Sequence, residues 1–186
     1  MQNVIFLDID GVLNSAETEE RYDAYTGVAD QHIERLKRIV EETDAVLILS
    51  SSWKQEWVKT KRLKEKYEYS AGRYLDERLW KFGLTISGKT SDRGYNRGYG
   101  IRKWLDKHEH GSWIVLDDEV FADYKVCGIM ERLVKTETYI RGGLRDPHVE
   151  IAVKLMATEP VEGEYKSLCT KALYDRHMDH FGRAIV

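Results

Sequence analysis

The stretch Val4-Ile-Phe-Leu-Asp-Ile-Asp-Gly-Val-Leu-Asn14 decides the fold that we expect for this chain. Its first four residues form a continuous apolar run, which is typical of a parallel strand covered on both faces. Asp8 stands at the end of that strand. Gly11 allows the chain to turn sharply, so that Asp10 comes back toward the same point. The segment predicts two neighbouring carboxylates at the carboxyl end of a buried strand.

Two further apolar runs also end in polar residues. The run Ala45–Leu49 is followed by Ser50, and the run Ser112–Leu116 is followed by Asp117 and Asp118. In parallel sheets the ligand site lies beyond the carboxyl ends of the strands. Because burying unpaired carboxylates is costly, we expect these side chains to converge on one functional crevice.

Segments with helical spacing separate the predicted strands, and shorter strands complete the pattern. The helical segments are 30–42, about 54–69, about 75–82, 101–108 and 146–156, and the shorter strands are 84–86 and 132–136. Residues 88–100 are predicted to form a loop. Asp30 and Asp146 are predicted to be helix N-caps. Alternating strands and helices predict an α/β fold, a Rossmann-like three-layer sandwich with a mostly parallel central sheet.

The 186 residues predict a single domain, with a core at about 1–156 and a C-terminal tail, 157–186, of uncertain structure. A net charge of −3 gives the whole molecule no strong attraction to nucleic acid or to anionic membranes. The first apolar run is too short for a signal peptide or a membrane span. We expect a cytoplasmic protein with no membrane association, two reduced cysteines and no obligate protein partner.

The paired carboxylates Asp8 and Asp10 suit phosphoryl transfer. Their repulsion favours a bound cation and separates their pKa values, so that one is an ionised nucleophile and the other carries a proton. An EF-hand loop is excluded because Leu13 stands where that loop needs glycine, and because a strand precedes the motif. An ordinary turn rich in Asp and Gly is the remaining alternative.

The first motif resembles that of the haloacid dehalogenase-like (HAD) phosphohydrolase superfamily, residue by residue over 6–14. The resemblance implies that Asp8 becomes an aspartyl-phosphate and that Asp10 is the general acid and then the base. It implies that Ser50 hydrogen-bonds the phosphate, with Ser51 and Ser52 as alternatives. We expect one of these serines to cap the helix that follows.

The resemblance also implies a magnesium site and a basic residue. Mg²⁺ would be held by Asp8, Asp10, Asp117 and Asp118, with Asp123 as a more distant carboxylate. The candidates for the basic residue of the family's third motif are Lys89, Arg93 and Arg97. Arg97 is favoured because it precedes a predicted helix, whose N-terminus would face the same phosphate.

The resemblance to the superfamily covers roughly residues 4–156, and a finer likeness lies within it. The segments Leu49–Trp53, Gly88–Thr90, Arg97–Leu105, Val115–Asp118 and Gly142–Leu144 resemble a compact HAD group associated with nucleic acid repair, which is related to the phosphatase half of polynucleotide kinase-phosphatases. This likeness implies a polynucleotide 3′-phosphatase-like enzyme. The alternatives are a phosphatase of mononucleotides or other small metabolites, and a non-catalytic module that binds phosphate.

The spacing of the motifs also bears on the substrate. Only a flap-sized loop fits between Asn14 and Asp30, so we expect no large cap domain and an open crevice that admits a single-stranded or frayed nucleic acid end. The bases within 54–66 stand near aromatic residues, but interspersed acids favour a solvated helix there. Histidines of the tail segment 175–180 are also more typical of a helix surface than of a metal site.

Overall fold

The structure, a computed structural model, describes residues 1–58, 70–92 and 96–160. Its strands are β1 (Asn3–Leu7), β2 (Arg21–Tyr22), β3 (Tyr25–Thr26), β4 (Ala45–Leu49), β5 (Ile86–Lys89), β6 (Trp113–Asp117) and β7 (Leu133–Lys135). Its α-helices are α1 (Asp30–Thr43), α2 (Ala71–Trp80), α3 (Arg97–Leu105) and α4 (Asp146–Met156). Two short 3₁₀ helices span Ser52–Gln55 and Met130–Arg132.

Five strands form one parallel sheet in the order β5-β4-β1-β6-β7. The central strand β1 pairs with β4 on one side and with β6 on the other, in a register that sets Leu7 beside Leu49 and Leu116. The carboxyl ends of the three central strands are therefore level with one another. The predicted α/β fold with a parallel sheet is confirmed, and β7 lies at an edge, as expected for residues 132–136.

Helices cover both faces of the sheet, because successive side chains of β1 point in opposite directions. Ile5 and Leu7 pack in a core with apolar residues of α1, α2 and α4. Val4 and Phe6 pack in a second core with residues of α3. The chain is therefore a three-layer sandwich, and its continuous apolar runs are explained by strands that are buried on both sides.

Both predicted N-caps are wrong by one residue. Helix α1 begins at Asp30 itself, after the extended residue Ala29, and α4 begins at Asp146, after the extended residue Arg145. The two aspartates lie in the first turn, where a negative charge still stabilises the helix through its dipole. In α4 the backbone N–H of Arg145 donates to His148 Nδ1 at 2.9 Å instead.

Four other boundaries differ from the prediction. Helix α2 begins at Ala71, four residues before the predicted start at about 75. Helix α3 begins at Arg97, inside the predicted loop, because the carboxylate of Asp123 accepts a hydrogen bond from the backbone N–H of Tyr99 in its first turn. Strand β5 begins at Ile86, two residues after the start of the predicted strand 84–86, and ends at Lys89. The predicted helix 54–69 begins as a 3₁₀ turn, and residues 59–69 lie outside the described residues.

The loop between β1 and α1 carries only a two-stranded hairpin, β2–β3, so no large cap domain is inserted there.

Cys127 is disulfide-bonded, so the expectation of a reduced thiol is wrong for this residue. Most of the predicted tail, residues 161–186, lies outside the described residues. None of the helices in the described ranges is both long enough and apolar enough to span a bilayer.

Candidate active site

The three central strands bring Asp8, Ser50 and Asp117 to one edge of the sheet. The backbone N–H of Asp8 donates to the carbonyl of Leu116 at 2.9 Å, and the N–H of Ser50 donates to the carbonyl of Leu7 at 2.9 Å. The sheet ladder thus continues one residue past β1 and β4, which fixes these positions. All three side chains are buried.

Arg97 bridges two of the carboxylates from the first turn of α3. Its Nη1 forms an ion pair with Asp8 Oδ2 at 2.9 Å and donates a hydrogen bond to Asp117 Oδ2 at 2.7 Å. Its guanidinium also lies 4.3 Å from the centre of the Phe121 ring. Burial alone would lower the pKa of Arg97, but the carboxylates of Asp8 and Asp117 outweigh that effect and raise it. The site therefore contains a permanent positive charge in contact with Asp8.

Asp117 is the most heavily bonded of the carboxylates. Its Oδ2 also accepts a hydrogen bond from Tyr124 Oη at 2.6 Å, and its Oδ1 accepts one from the N–H of Glu119 at 3.0 Å. Burial, followed by the negative charge of Asp8, raises the pKa of Asp117 to about 6, against the opposing effect of Arg97. The repulsion between Asp8 and Asp117 is what a bound cation would relieve.

Asp118 completes a group of oxygen ligands. Carboxylate oxygens of Asp8, Asp117 and Asp118 all lie within 4.8 Å of one another. Asp118 Oδ2 accepts a hydrogen bond from the N–H of Tyr139 at 2.9 Å, which orients its carboxylate. Three clustered carboxylates are the donor set that hard divalent cations prefer, so these residues fit a magnesium ion.

Asp10 lies apart from this group. Its Oδ1 accepts a hydrogen bond from Asn14 Nδ2 at 2.9 Å, and its Oδ2 accepts one from Trp53 Nε1 at 3.0 Å. Burial is the main influence on Asp10 and raises its pKa, assisted by the charge of Asp8 and opposed by the bonds from Asn14 and Trp53. A raised pKa favours the protonated form that a general acid needs.

Gly11 makes the turn that separates the two aspartates of the first motif. Its φ is +74°, and a Cβ at this position would lie 2.2 Å from Asp118 Cγ. Its carbonyl accepts a hydrogen bond from Thr136 Oγ1 at 2.8 Å. Only glycine meets both the backbone conformation and the close approach of Asp118.

The three consecutive serines differ in what they contact. Ser50 Oγ is buried and has no hydrogen-bond partner among the described residues. Ser51 Oγ accepts a hydrogen bond from the N–H of Trp53 at 3.4 Å and caps the 3₁₀ helix, and Ser52 is exposed. A buried hydroxyl without a partner is costly in a protein interior, so Ser50 Oγ is the serine oxygen available to a ligand.

Two residues predicted for the site lie elsewhere in the structure. Lys89 Nζ donates to the carbonyls of Lys54 and Trp57, both at 2.7 Å, and thereby holds the 3₁₀ segment rather than joining the carboxylates. Asp123 binds the first turn of α3 through the N–H of Tyr99. Arg93, the third candidate for the basic residue, lies outside the described residues.

The sequence interpretation missed the role of Lys54. Its buried ammonium donates to the carbonyl of Ser50 at 3.0 Å and to Asp92 Oδ2 at 2.7 Å. Burial lowers the pKa of Lys54, although its bond to Asp92 opposes that shift. The sequence predicts a solvated helix for this segment, and a lysine on such a helix would be expected to face water rather than Ser50. The spacing of four residues between Ser50 and Lys54 was the available signal.

The chain matches the family described as the HAD domain in Swiss Army Knife RNA repair proteins, over residues 4–149. This match covers β1 through the first turn of α4 and includes every strand of the central sheet. No curated protein and no solved structure matches the chain.

Proposed function

The chain belongs to the family of HAD domains in Swiss Army Knife RNA repair proteins and is a HAD-type phosphatase, and on this basis we propose its reaction and substrate. We propose that it is a magnesium-dependent phosphomonoesterase that forms an aspartyl-phosphate on Asp8. Its proposed substrate is a phosphorylated nucleic acid end, as in a polynucleotide 3′-phosphatase.

One observation carries the proposed chemistry: Asp8 is ion-paired with Arg97, whereas the pKa of Asp10 is raised mainly by burial. Two carboxylates two positions apart therefore lie in different environments, one beside a cation and the other buried without one. An ionised Asp8 can attack phosphorus, and a protonated Asp10 can supply the proton that the leaving oxygen needs.

The reaction then has two balanced steps. In the first, an Asp8 oxygen bonds to phosphorus, the bond from phosphorus to the ester oxygen breaks, and Asp10 gives its proton to that oxygen. In the second, Asp10 takes a proton from water, the water oxygen bonds to phosphorus, and the bond to Asp8 breaks. Inorganic phosphate leaves, and both aspartates return to their starting forms.

The surrounding donors would hold the transferring group. The unpartnered hydroxyl of Ser50 can donate a hydrogen bond to a phosphoryl oxygen. The guanidinium of Arg97, already in contact with Asp8, can pair with the phosphoryl charge through the same side chain. Lys54 would act indirectly on the phosphate. Its ammonium donates to the carbonyl of Ser50 and so positions the Ser50 hydroxyl.

Asp8, Asp117 and Asp118 would hold the magnesium ion, which would neutralise charge on the phosphoryl oxygens. Asp10 was also predicted to bind the metal, but its two oxygens are engaged by Asn14 and Trp53. We therefore assign Asp10 to proton transfer.

The substrate assignment rests on the family and on the openness of the site. The family is named for RNA repair proteins, and only a small hairpin stands between β1 and α1. An uncapped crevice admits the end of a polymer, whereas a large cap would close over a small substrate. A phosphatase of free mononucleotides or other small phosphorylated metabolites remains the alternative. The proposed location of the reaction is the cytoplasm.

The test compares wild-type protein with Asp8→Asn on a 3′-phosphorylated oligonucleotide and on free mononucleotides. With magnesium, we expect phosphate release from the oligonucleotide at a higher kcat/KM than from mononucleotides, and none above background from Asp8→Asn. A brief reaction with phosphate-labelled substrate, quenched in acid, should leave label on the wild-type protein only. Chelation of the metal should stop release, and added Mg²⁺ should restore it.

Other results would redirect the assignment. A preference for mononucleotides would replace the nucleic acid substrate with a small one. Full activity in Asp8→Asn would remove Asp8 as the nucleophile. Binding of phosphate without hydrolysis of any monoester would favour the non-catalytic module.

A further inference from the structure

A groove leads from Asp10 along the β2–β3 hairpin. Its volume is about 830 Å³, within the range of about 300–1,000 Å³ that is common for small-molecule sites. The hairpin forms one wall, and residues 52–56 form part of the other. Its aromatic lining residues are Tyr22, Tyr25, Trp53 and Tyr139.

The hairpin holds its two tyrosines on one face. Tyr22 and Tyr25 are directly paired across the strands, so both rings point to the same side. Tyr22 lies against Tyr74, with ring centres 4.9 Å apart, and Trp53 lies 6.4 Å from the same ring. Tyr25 is different, because 69% of its surface is exposed in the groove. Its ring can therefore accept a partner.

A hydrogen bond fixes the hairpin over the site. Tyr139 Oη and Thr26 Oγ1 are 2.9 Å apart, and the N–H of Tyr139 donates to Asp118. The hairpin is thus joined through one residue to the carboxylates that would hold the metal. The position of Tyr25 relative to the reacting phosphate is set by this connection.

The charge of the groove limits what can occupy it. Asp10, Asp23 and Glu56 line it, and its lining within the described residues includes no lysine or arginine. A second phosphate would be repelled by these carboxylates. A neutral planar ring would meet aromatic side chains and no unfavourable charge.

We propose that this groove binds the base of the phosphorylated terminal nucleotide, stacked on Tyr25. The inference rests on the proposed function, because Asp10 at the end of the groove is the group that would protonate the leaving sugar oxygen. The leaving sugar then starts at Asp10, and its base extends into the groove. Stacking of one base on an aromatic side chain contributes about 5- to 100-fold in affinity and tolerates any base.

The test uses two 3′-phosphorylated oligonucleotides that differ only at the terminal nucleotide, which carries its base in one and is abasic in the other. The proteins are wild type, Tyr25→Ala, Tyr25→Phe and Trp80→Ala. Trp80 is a matched control, since it is 70% exposed and does not line the groove. The wild type should prefer the base-bearing substrate by about 5- to 100-fold in kcat/KM. Tyr25→Ala should bring that ratio close to one, whereas Tyr25→Phe and Trp80→Ala should keep it.

A second readout separates this inference from the proposed function. Titration of adenosine and of ribose, neither of which carries phosphate, is followed through the indole N–H resonance of Trp53, which lines the groove. We expect adenosine to shift this resonance in wild type and Tyr25→Phe but not in Tyr25→Ala, and ribose to leave it unchanged. Equal rates on the two oligonucleotides, or no response to adenosine, would overturn the base site. A response to adenosine without any phosphate release would instead overturn the proposed function.

Discussion

The indole Nε1 of Trp53 donates a hydrogen bond to Asp10 Oδ2 at 3.0 Å. This contact joins the wall of the groove to the proposed acid. Trp53 also stabilises the ionised form of Asp10, so it opposes the rise in pKa that burial causes. Trp53 therefore lowers the pKa of Asp10 and also lines the groove.

Replacing Trp53 with phenylalanine should move the pH profile. Loss of the hydrogen bond removes an influence that lowers the pKa of Asp10, so that pKa rises further. Because the first step needs protonated Asp10, the alkaline limb of kcat/KM should shift to higher pH. The control is Trp57→Phe, since Trp57 donates a similar bond to Asp76 at 2.9 Å outside the site. An unchanged alkaline limb in Trp53→Phe would exclude Asp10 as the titrating acid.

A pair of glycines allows the close packing at the first motif to be tested. Gly11→Ala should abolish most activity and weaken magnesium binding, because the new methyl would lie 2.2 Å from Asp118 Cγ and would displace that side chain. Gly83→Ala is the control, because Gly83 has a similar φ of +77° but nothing within 4 Å. Both variants should lose about 1–2 kcal/mol of unfolding free energy from backbone strain. Calorimetric titration with Mg²⁺ and turnover rates should separate them; equal metal affinity in both would contradict the prediction.

Arg97→Lys keeps the charge but should not reproduce the bridge between Asp8 and Asp117. We expect kcat/KM to fall by about 10²–10³-fold, as for the loss of one donor to a developing charge. Arg132→Lys is the control, because Arg132 is also buried but donates to the carbonyl of Trp113 at the opposite end of β6. Both variants should be less stable in urea, whereas only Arg97→Lys should lose catalysis. A similar kcat in the two variants would remove Arg97 from the reaction.

His32 should make the stability depend on pH. Its Nδ1 lies 2.9 Å from the carbonyl of Leu144, and burial lowers its pKa below the ordinary value of 6.5. At this residue the folded state binds fewer protons than the unfolded state, so the contribution of His32 to the free energy of unfolding is full above pH 6.5 and is lost as the pH decreases below it. Asp117, whose pKa is raised to about 6, contributes in the opposite direction, so urea unfolding at pH 7.5 and 5.5 should be compared between wild type and His32→Gln to show this loss. His32→Gln should reduce it, leaving the part due to His148, whose pKa burial also lowers. An identical loss in wild type and variant would show that His32 does not cause it.

The strand ends of the site could be predicted from the sequence, but the long side chains could not. Asp8, Ser50 and Asp117 each follow a continuous apolar run, and parallel strands place such residues at one edge. Whether Lys89 or Arg97 reaches the carboxylates depends on where helix α3 begins. Glycines near that point predict a loop, whereas the distant residue Asp123 stabilises the first turn of the helix. Long-range contacts of this kind leave no periodic pattern in the sequence.

The contact of Trp53 with Asp10 was missed for a related reason. A helix was predicted from about residue 54, whereas the described residues of this segment begin with a 3₁₀ turn at Ser52–Gln55. That turn directs Trp53 toward Asp10 and Lys54 toward the carbonyl of Ser50. The helix boundaries were similarly uncertain, since the first turn tolerates aspartate at more than one position.

The central place of β1 has a consequence for how the chain folds. Val4 pairs with Val46 and Trp113, so the last partner of β1 is distant along the chain. During synthesis β1 must wait for β6 before both of its edges are paired, and until then an apolar strand has an open edge. Folding dominated by such distant pairings is slow and exposes the chain to aggregation. The strand that precedes the proposed nucleophile, Asp8, therefore has an unpaired edge until β6 has been made.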